Sequence, residues 1–149
     1  MSLELLMLGN VPMPQMVERA KLAEASGYDT LWVADERFYR EVYSTLAVLA
    51  QHTTRVSLGT CVTDPFARHP ALTAMAIATL DEISNQRAIL GVGAGISGFP
   101  ELGVVRKKPA AAIREMIEVV RALLKGEALD FHGDVVAFHN GKLSFKPVR

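Results

Sequence analysis

One cysteine, Cys61, stands in a chain of 149 residues, so no internal disulfide framework is available and a reducing compartment is expected. An excess of charge of one sign is missing too: 16 basic residues face 16 acidic ones. That balance argues against nucleic acid as the main partner, because phosphate binding draws on clustered Lys and Arg. No apolar run reaches the roughly 18 residues of a membrane span. The opening Met1-Ser2-Leu3-Glu4 has no basic stretch followed by an apolar block, so no signal peptide is expected. Low-complexity and linker-like segments are also absent. What is present is a chain with 50% hydrophobic residues, enough for a packed core, and the expectation is a globular cytoplasmic protein.

Short apolar runs alternate with longer amphipathic ones. Strands are expected over Leu3–Leu8, Leu31–Ala34, Val56–Val62 and Ala88–Val92. Helices are expected after Pro12 to about Ser26, over Glu41–His52, over Ala71–Ser84, and from Pro109 to about Lys125. Gly27 and Gly126 mark helix ends. This strand–helix rhythm predicts right-handed βαβ crossovers and a parallel sheet, an α/β fold over residues 1–126. Residues 127–149 break the rhythm. Leu129–Phe131, Val135–His139 and Leu143–Phe145 read as three short strands of a β meander, with turns at His132-Gly133 and Asn140-Gly141.

In a parallel α/β sheet the residues just past the strand C-termini form the binding face. Those positions hold Gly9-Asn10, then Asp35-Glu36-Arg37, then Cys61-Val62-Thr63-Asp64 with Arg68-His69 behind, then Gly93-Ala94-Gly95. A carboxylate at a strand end serves as a base or as an acceptor for a ligand, or else caps a helix or pairs with Arg37 or Arg40. Gly93-Ala94-Gly95 offers backbone amides that can approach a planar or anionic group, or it is simply a tight turn. It matches neither a Walker loop nor a dinucleotide fingerprint. Cys61 is expected to be a small buried residue, since nucleophilic chemistry needs a nearby base and His69 is only a candidate. His52, His69, His132 and His139 show no paired ligand motif, so no metal site is expected. Trp32 is expected to fill core. The second and third helices are apolar on more than one face, which suggests burial against a partner.

Several segments, in order along the chain, resemble the luciferase-like flavin and deazaflavin oxidoreductases. They are Leu22-Ala23-Glu24-Ala25-Ser26-Gly27-Tyr28, Val33-Ala34-Asp35, the run Ser57 to Pro70, the run Ala76 to Arg87, Leu90-Gly91-Val92-Gly93-Ala94-Gly95 and Phe131-His132-Gly133. The Thr63-Asp64-Pro65 version is most similar to the coenzyme F420-dependent branch that includes methylenetetrahydromethanopterin reductase. The resemblance implies half of a TIM (β/α)8 barrel, four βα units, with F420 (alternatively FMN) as cofactor and a small organic substrate. It implies a non-proline cis peptide at Cys61-Val62 and places Asp35, Cys61, Val62, Thr63, Asp64, Gly93, Ala94 and Gly95 at the cofactor ring. As strand-end carboxylates Asp35 and Glu36 are the catalytic candidates, and by the same resemblance residues 41–52 and 71–84 form a homodimer contact. Three positions depart from the pattern: Glu36 where relatives have His, Leu6 where an acid is expected in the first strand, and Gln86 where the segment before Arg87 carries Gly. An FMN-dependent monooxygenase and a non-catalytic, self-associating or truncated half-barrel are the competing readings.

Overall fold

A computed structural model describes residues 2–149. The chain runs β1 (Glu4–Met7), α1 (Met13–Ala25), β2 (Thr30–Val33), α2 (Val42–His52), β3 (Ser57–Thr60), α3 (Pro70–Ile83), β4 (Ala88–Ile89), α4 (Pro109–Leu124), β5 (Leu129–His132) and β6 (Ala137–Gly141). The first four strands form one parallel sheet in the order β1-β2-β3-β4, with Leu5 opposite Leu31, Leu31 opposite Leu58 and Leu58 opposite Ala88. Strands in sequence order, each joined by a helix, are the expected consequence of repeated right-handed crossovers.

One face of the sheet is covered by helices. Met7, Leu31, Val33 and Leu58 meet Met16, Ala20, Leu46, Leu49 and Leu80 in a buried core. The other face is open. Leu6 is exposed there, and the Trp32 ring lies over Gly59, half-buried on this face rather than in the core expected for it. Trp32 Nε1 donates to Glu4 Oε2 at 2.8 Å on this same face. An indole with a polar tip suits a half-buried surface better than a dry core.

The joint between α2 and β3 is held by two side chains that satisfy loop backbone. Glu24 of α1 accepts from the amides of Thr54, Arg55 and Val56 ahead of β3. Arg87 donates to the carbonyls of Ala50, Thr53, Val56 and Ser84, closing the C-terminal end of α2 and the entry to β3. Just before it, Asn85 and Gln86 adopt φ of 57° and 64°. Gln86 therefore occupies, at a steric cost, a left-handed conformation that suits glycine.

The tail differs from the meander expected. β5 and β6 pair antiparallel, with Phe131 opposite Phe138 and His132 opposite Ala137, and no third strand forms over Leu143–Phe145. Asn140-Gly141 is not a turn. It ends β6 beyond a bulge, with Asn140 at φ 47°. The remaining tail is drawn to the sheet instead: Arg149 Nε donates to Asp81 Oδ2 at 2.8 Å and its Nη2 to the Ala88 carbonyl at 2.6 Å. Pro147 has no N–H to give a ladder. The hairpin packs through Leu129, Phe131 and Phe138 onto a second core built from Met116, Val119, Val120 and Leu123 of α4 and Ala74 of α3. Gly133 in its turn is required by close approach: a Cβ there would lie 2.4 Å from Glu115 Oε2.

Candidate functional site

The C-terminal ends of β2, β3 and β4 meet at one rim. Cys61 N still donates to the Val33 carbonyl at 2.8 Å, past it the third strand leaves the ladder, and the Cys61-Val62 peptide is cis. Pairing resumes at once, since Thr63 N donates to the Gly91 carbonyl at 3.0 Å and Gly93 N donates back to the Thr63 carbonyl at 3.0 Å. Cys61 and Val62 are thereby turned outward into a cleft of about 170 Å³, walled by Asp35, Glu36, Gly95, Ile96 and Ser97. Cys61 is exposed, which corrects the expectation of a buried thiol: the break in the ladder presents it rather than packing it. Val62 is 37% exposed, an apolar side chain at a polar rim. Behind it Gly93 admits no side chain, since a Cβ would lie 2.6 Å from Val62 Cγ2.

A buried hydrogen-bond chain lies beside this floor. The Thr63 hydroxyl donates to Asp35 Oδ2 at 2.6 Å, and the Tyr43 phenol lies 3.2 Å from the same hydroxyl. With the Thr63 proton committed to the carboxylate, Tyr43 is the donor to Thr63. Burial pushes the Asp35 carboxyl up from its ordinary value, against the opposing pull of Thr63, Arg68 and Arg37. Burial likewise pushes Tyr43 up to about 12. Asp35 thus combines a half-exposed position on the cleft wall with a raised proton affinity.

The other predicted residues divide between cleft and scaffold. Asp64 is 2% exposed and fully engaged, with Oδ1 accepting from the amides of Phe66 and Ala67 and Oδ2 paired with Arg37. Thr63 is fully buried. Gly93 spends its amide on Thr63, so the idea of a free amide at that position is corrected by the ladder. Glu36 Oε1 accepts from Ser97 Oγ and from its neighbour's amide, which ties the β2 end to the loop after β4. Ala94 and Gly95 are half-buried on that loop, and the Gly95 carbonyl accepts from Arg106. His69 is no base for Cys61. Its Nδ1 accepts from Ala71 N at 3.1 Å as the cap of α3, and its Nε2 donates to the Ala137 carbonyl at 2.9 Å.

Two features escaped the sequence reading. Phe99, in what read as a Gly/Pro-punctuated loop, is buried and stacked by Arg37 at 5.0 Å and Arg106 at 5.7 Å, so the loop folds back as a wall. Glu4 also lies on the open face of the sheet, two residues before Leu6, where an acid was sought. Strand alternation places residues 4 and 6 on one face, and that was the available signal. A wider hollow, about 620 Å³, lies elsewhere, along the free edge of β1 between Leu6 and Leu22. Among the described residues no helix is long and apolar enough to cross a membrane.

Comparison with known proteins now bears on this geometry. Residues 5–149 match the family described as luciferase-like monooxygenase. A 5,10-methylenetetrahydromethanopterin reductase of Archaeoglobus fulgidus is 45% identical over 128 residues, covering 85% of this chain and 39% of that protein. The solved coenzyme F420-dependent tetrahydromethanopterin reductase of Methanopyrus kandleri superimposes with a TM-score of 0.92 at 29% identity, over 99% of this chain and 47% of that one. An FMN complex of the oxygenating constituent of 3,6-diketocamphane monooxygenase from Pseudomonas putida superimposes at 0.79 with 19% identity, a likeness of fold. The chain spans about half the length of the relatives it matches, and its four βα units correspond to half of their barrel.

Proposed function

This chain belongs to the luciferase-like monooxygenase family, and from that premise we propose that its rim holds the ring of coenzyme F420 for hydride exchange with a small organic substrate. The observation that carries the reading is the cleft floor: Cys61 and Val62 face outward at the strand-end rim beside the half-buried carboxyl of Asp35. A flat, largely apolar ring needs such a platform with few but placed polar groups at its edge. The residues fit on two counts. Val62 is backed by a glycine that leaves no room for a side chain, so the floor is shaped. Asp35, with its proton affinity raised by burial, suits a hydrogen-bonding edge to the ring.

When bound, the deazaflavin supplies the hydride-carrying atom. The protein supplies position and a dry wall. Cys61 and Val62 are assigned to the ring floor, with Gly93, Ala94 and Gly95 bordering it. Thr63 holds Asp35 in place through its hydroxyl, and Tyr43 holds Thr63. Glu36 clasps the loop of Ser97 over the cleft. Asp64, saturated and buried, is assigned to keeping Arg37 and the 66–67 turn in register rather than to the ring.

The same reading includes a homodimer through α2 and α3. Leu72, Met75 and Ile83 of α3 and Val48 of α2 are exposed apolar side chains, and a groove of about 330 Å³ runs between the two helices.

The test is a fluorescence titration of the 149-residue chain with F420 and, separately, with FMN. Saturable binding of F420 at one per chain is expected, weakened at least tenfold by Val62→Asp. Binding of neither ring overturns the proposal, and equal or tighter binding of FMN overturns the choice of F420.

A further inference from the structure

The outer face of the β5–β6 hairpin carries a second cluster of chemistry-bearing side chains, away from the cleft. Strand alternation puts Phe131 and Phe138 inward on α4 and α3, and Asp130, His132 and His139 outward. Opposite Asp130 the ladder has its bulge, with one extra residue in β6 between the pairs Phe131–Phe138 and Leu129–Gly141. A bulge re-aims the side chains around it. His132 Nε2 lies 3.4 Å from Asp130 Oδ2, His139 Nδ1 lies 3.6 Å from Asp130 Oδ1, and the two rings are 4.9 Å apart. One ligand atom from each of the three falls within 4.8 Å of the others.

We propose that Asp130, His132 and His139 form a binding site for one divalent transition-metal ion of the zinc, nickel or copper type. Ligand atoms at 2.0–2.1 Å from a tetrahedral ion sit roughly 3.3 Å apart; each histidine already lies near that distance from one of the two Asp130 oxygens, and rotation of the exposed side chains would bring one atom from each residue onto a common ion. Two imidazoles and a carboxylate select borderline cations over magnesium or calcium, which prefer all-oxygen shells. Three protein ligands leave a coordination position for water.

The scaffold beneath is fixed before any ion arrives. Glu115 accepts from the amides of Asp134, Val135 and Val136, and His69 donates to the Ala137 carbonyl. The remaining histidines are otherwise engaged: His52 contacts the Val48 carbonyl of its own helix and His69 uses both ring nitrogens. Among the described residues, His132 and His139 make polar contact only with Asp130. The sequence alone hid the arrangement, because Asp130-x-His132 and His139 become neighbours only through the hairpin register.

The experiment is calorimetric titration of the untagged 149-residue chain with Zn²⁺ and Ni²⁺, with Mg²⁺ as control. One ion per chain is expected. His132→Ala and His139→Ala should each weaken it by more than about 100-fold, beyond the effect of losing a residue that only supports a ligand. His52→Ala should leave it unchanged. All three ligands are exposed and outside the cleft, so F420 binding by the variants is expected to match the parent chain, which separates this proposal from the previous one. In a copper-loaded sample, electron paramagnetic resonance should report two imidazole nitrogens, and one after either His substitution. Absence of binding below millimolar metal, or unchanged affinity in the His132→Ala/His139→Ala double variant, overturns the site.

Discussion

Thr63 shows how much of the cleft depends on one hydroxyl. It is fully buried and serves as the middle member of the Tyr43–Thr63–Asp35 chain. Thr63→Val keeps the shape and removes both hydrogen bonds, leaving the phenol and the carboxylate short of a partner. The expected cost is about 2 kcal/mol of stability, read by urea denaturation. Because the Thr63 donation favours the ionised form of Asp35, its loss should move the Asp35 carboxyl further upward, read by carbon-13 titration of the side chain. The sign for stability follows. An acid whose folded value is raised is favoured protonated, so its contribution is present below the unfolded value near 3.9 and is lost as pH rises through the folded value. Thr63→Val should therefore steepen that loss. An Asp35 midpoint unchanged by the substitution would mean that the hydroxyl does not govern the carboxyl.

At the scale of elements, the recurring device is a helix carboxylate that collects the amides of a loop. Burial alone would raise Glu115, but donation from Val136, Val135 and Asp134 outweighs it and holds the carboxyl below its ordinary value. Glu115 is 3% exposed and anchors the hairpin turn to α4. Glu115→Ala should cost about 3 kcal/mol, since charge-assisted bonds to three amides are lost together. A depressed folded value binds fewer protons than the unfolded chain. The Glu115 contribution is therefore full above the unfolded value near 4.3 and disappears as pH falls through the lower folded value. The gap between parent and variant should close in that acid window, and a gap of equal size at pH 7 and pH 2 would refute the charge-based account. This device also marks what sequence pattern can carry. Helix existence followed directly from apolar spacing, as in α4 from Ile113 to Leu124. The partner of Glu115 lies about 20 positions away through a turn, and no local period encodes it. Gln86 was legible as a departure from a glycine, and its φ of 64° gives that departure a physical meaning, a conformational cost at a helix end. The third tail strand failed although Leu143–Phe145 has strand composition, because the tail runs on past the hairpin to the sheet, where Arg149 finds Asp81.

For the whole molecule, the sheet has one dry face and one open one, and the helix layer has its own uncovered strip. The parallel order and the rim were readable from the strand–helix rhythm. The side of the sheet left open, with Leu6 exposed and Trp32 half-buried, was not, since a buried parallel strand reads as apolar on both faces. The strip between α2 and α3 was legible as surplus apolar surface: Met75 is 45% exposed and Leu72 50%. Contiguous side chains of this kind in a helix layer mark an interface when a matching surface is available, and a two-fold contact brings the same strip to itself. The proposed dimer makes Met75 a central residue, because it also lines the groove with Tyr43, Ala47 and Ile83. A charge there cannot be buried without a partner, so Met75→Glu should weaken self-association at least 100-fold, while an exposed helix position tolerates Glu in the monomer. Sedimentation velocity should find the parent chain dimeric at micromolar concentration and the variant monomeric with an unchanged circular dichroism spectrum. A parent chain that stays monomeric to 100-fold higher concentration, or a variant that still dimerises with parental affinity, removes α2 and α3 as the contact.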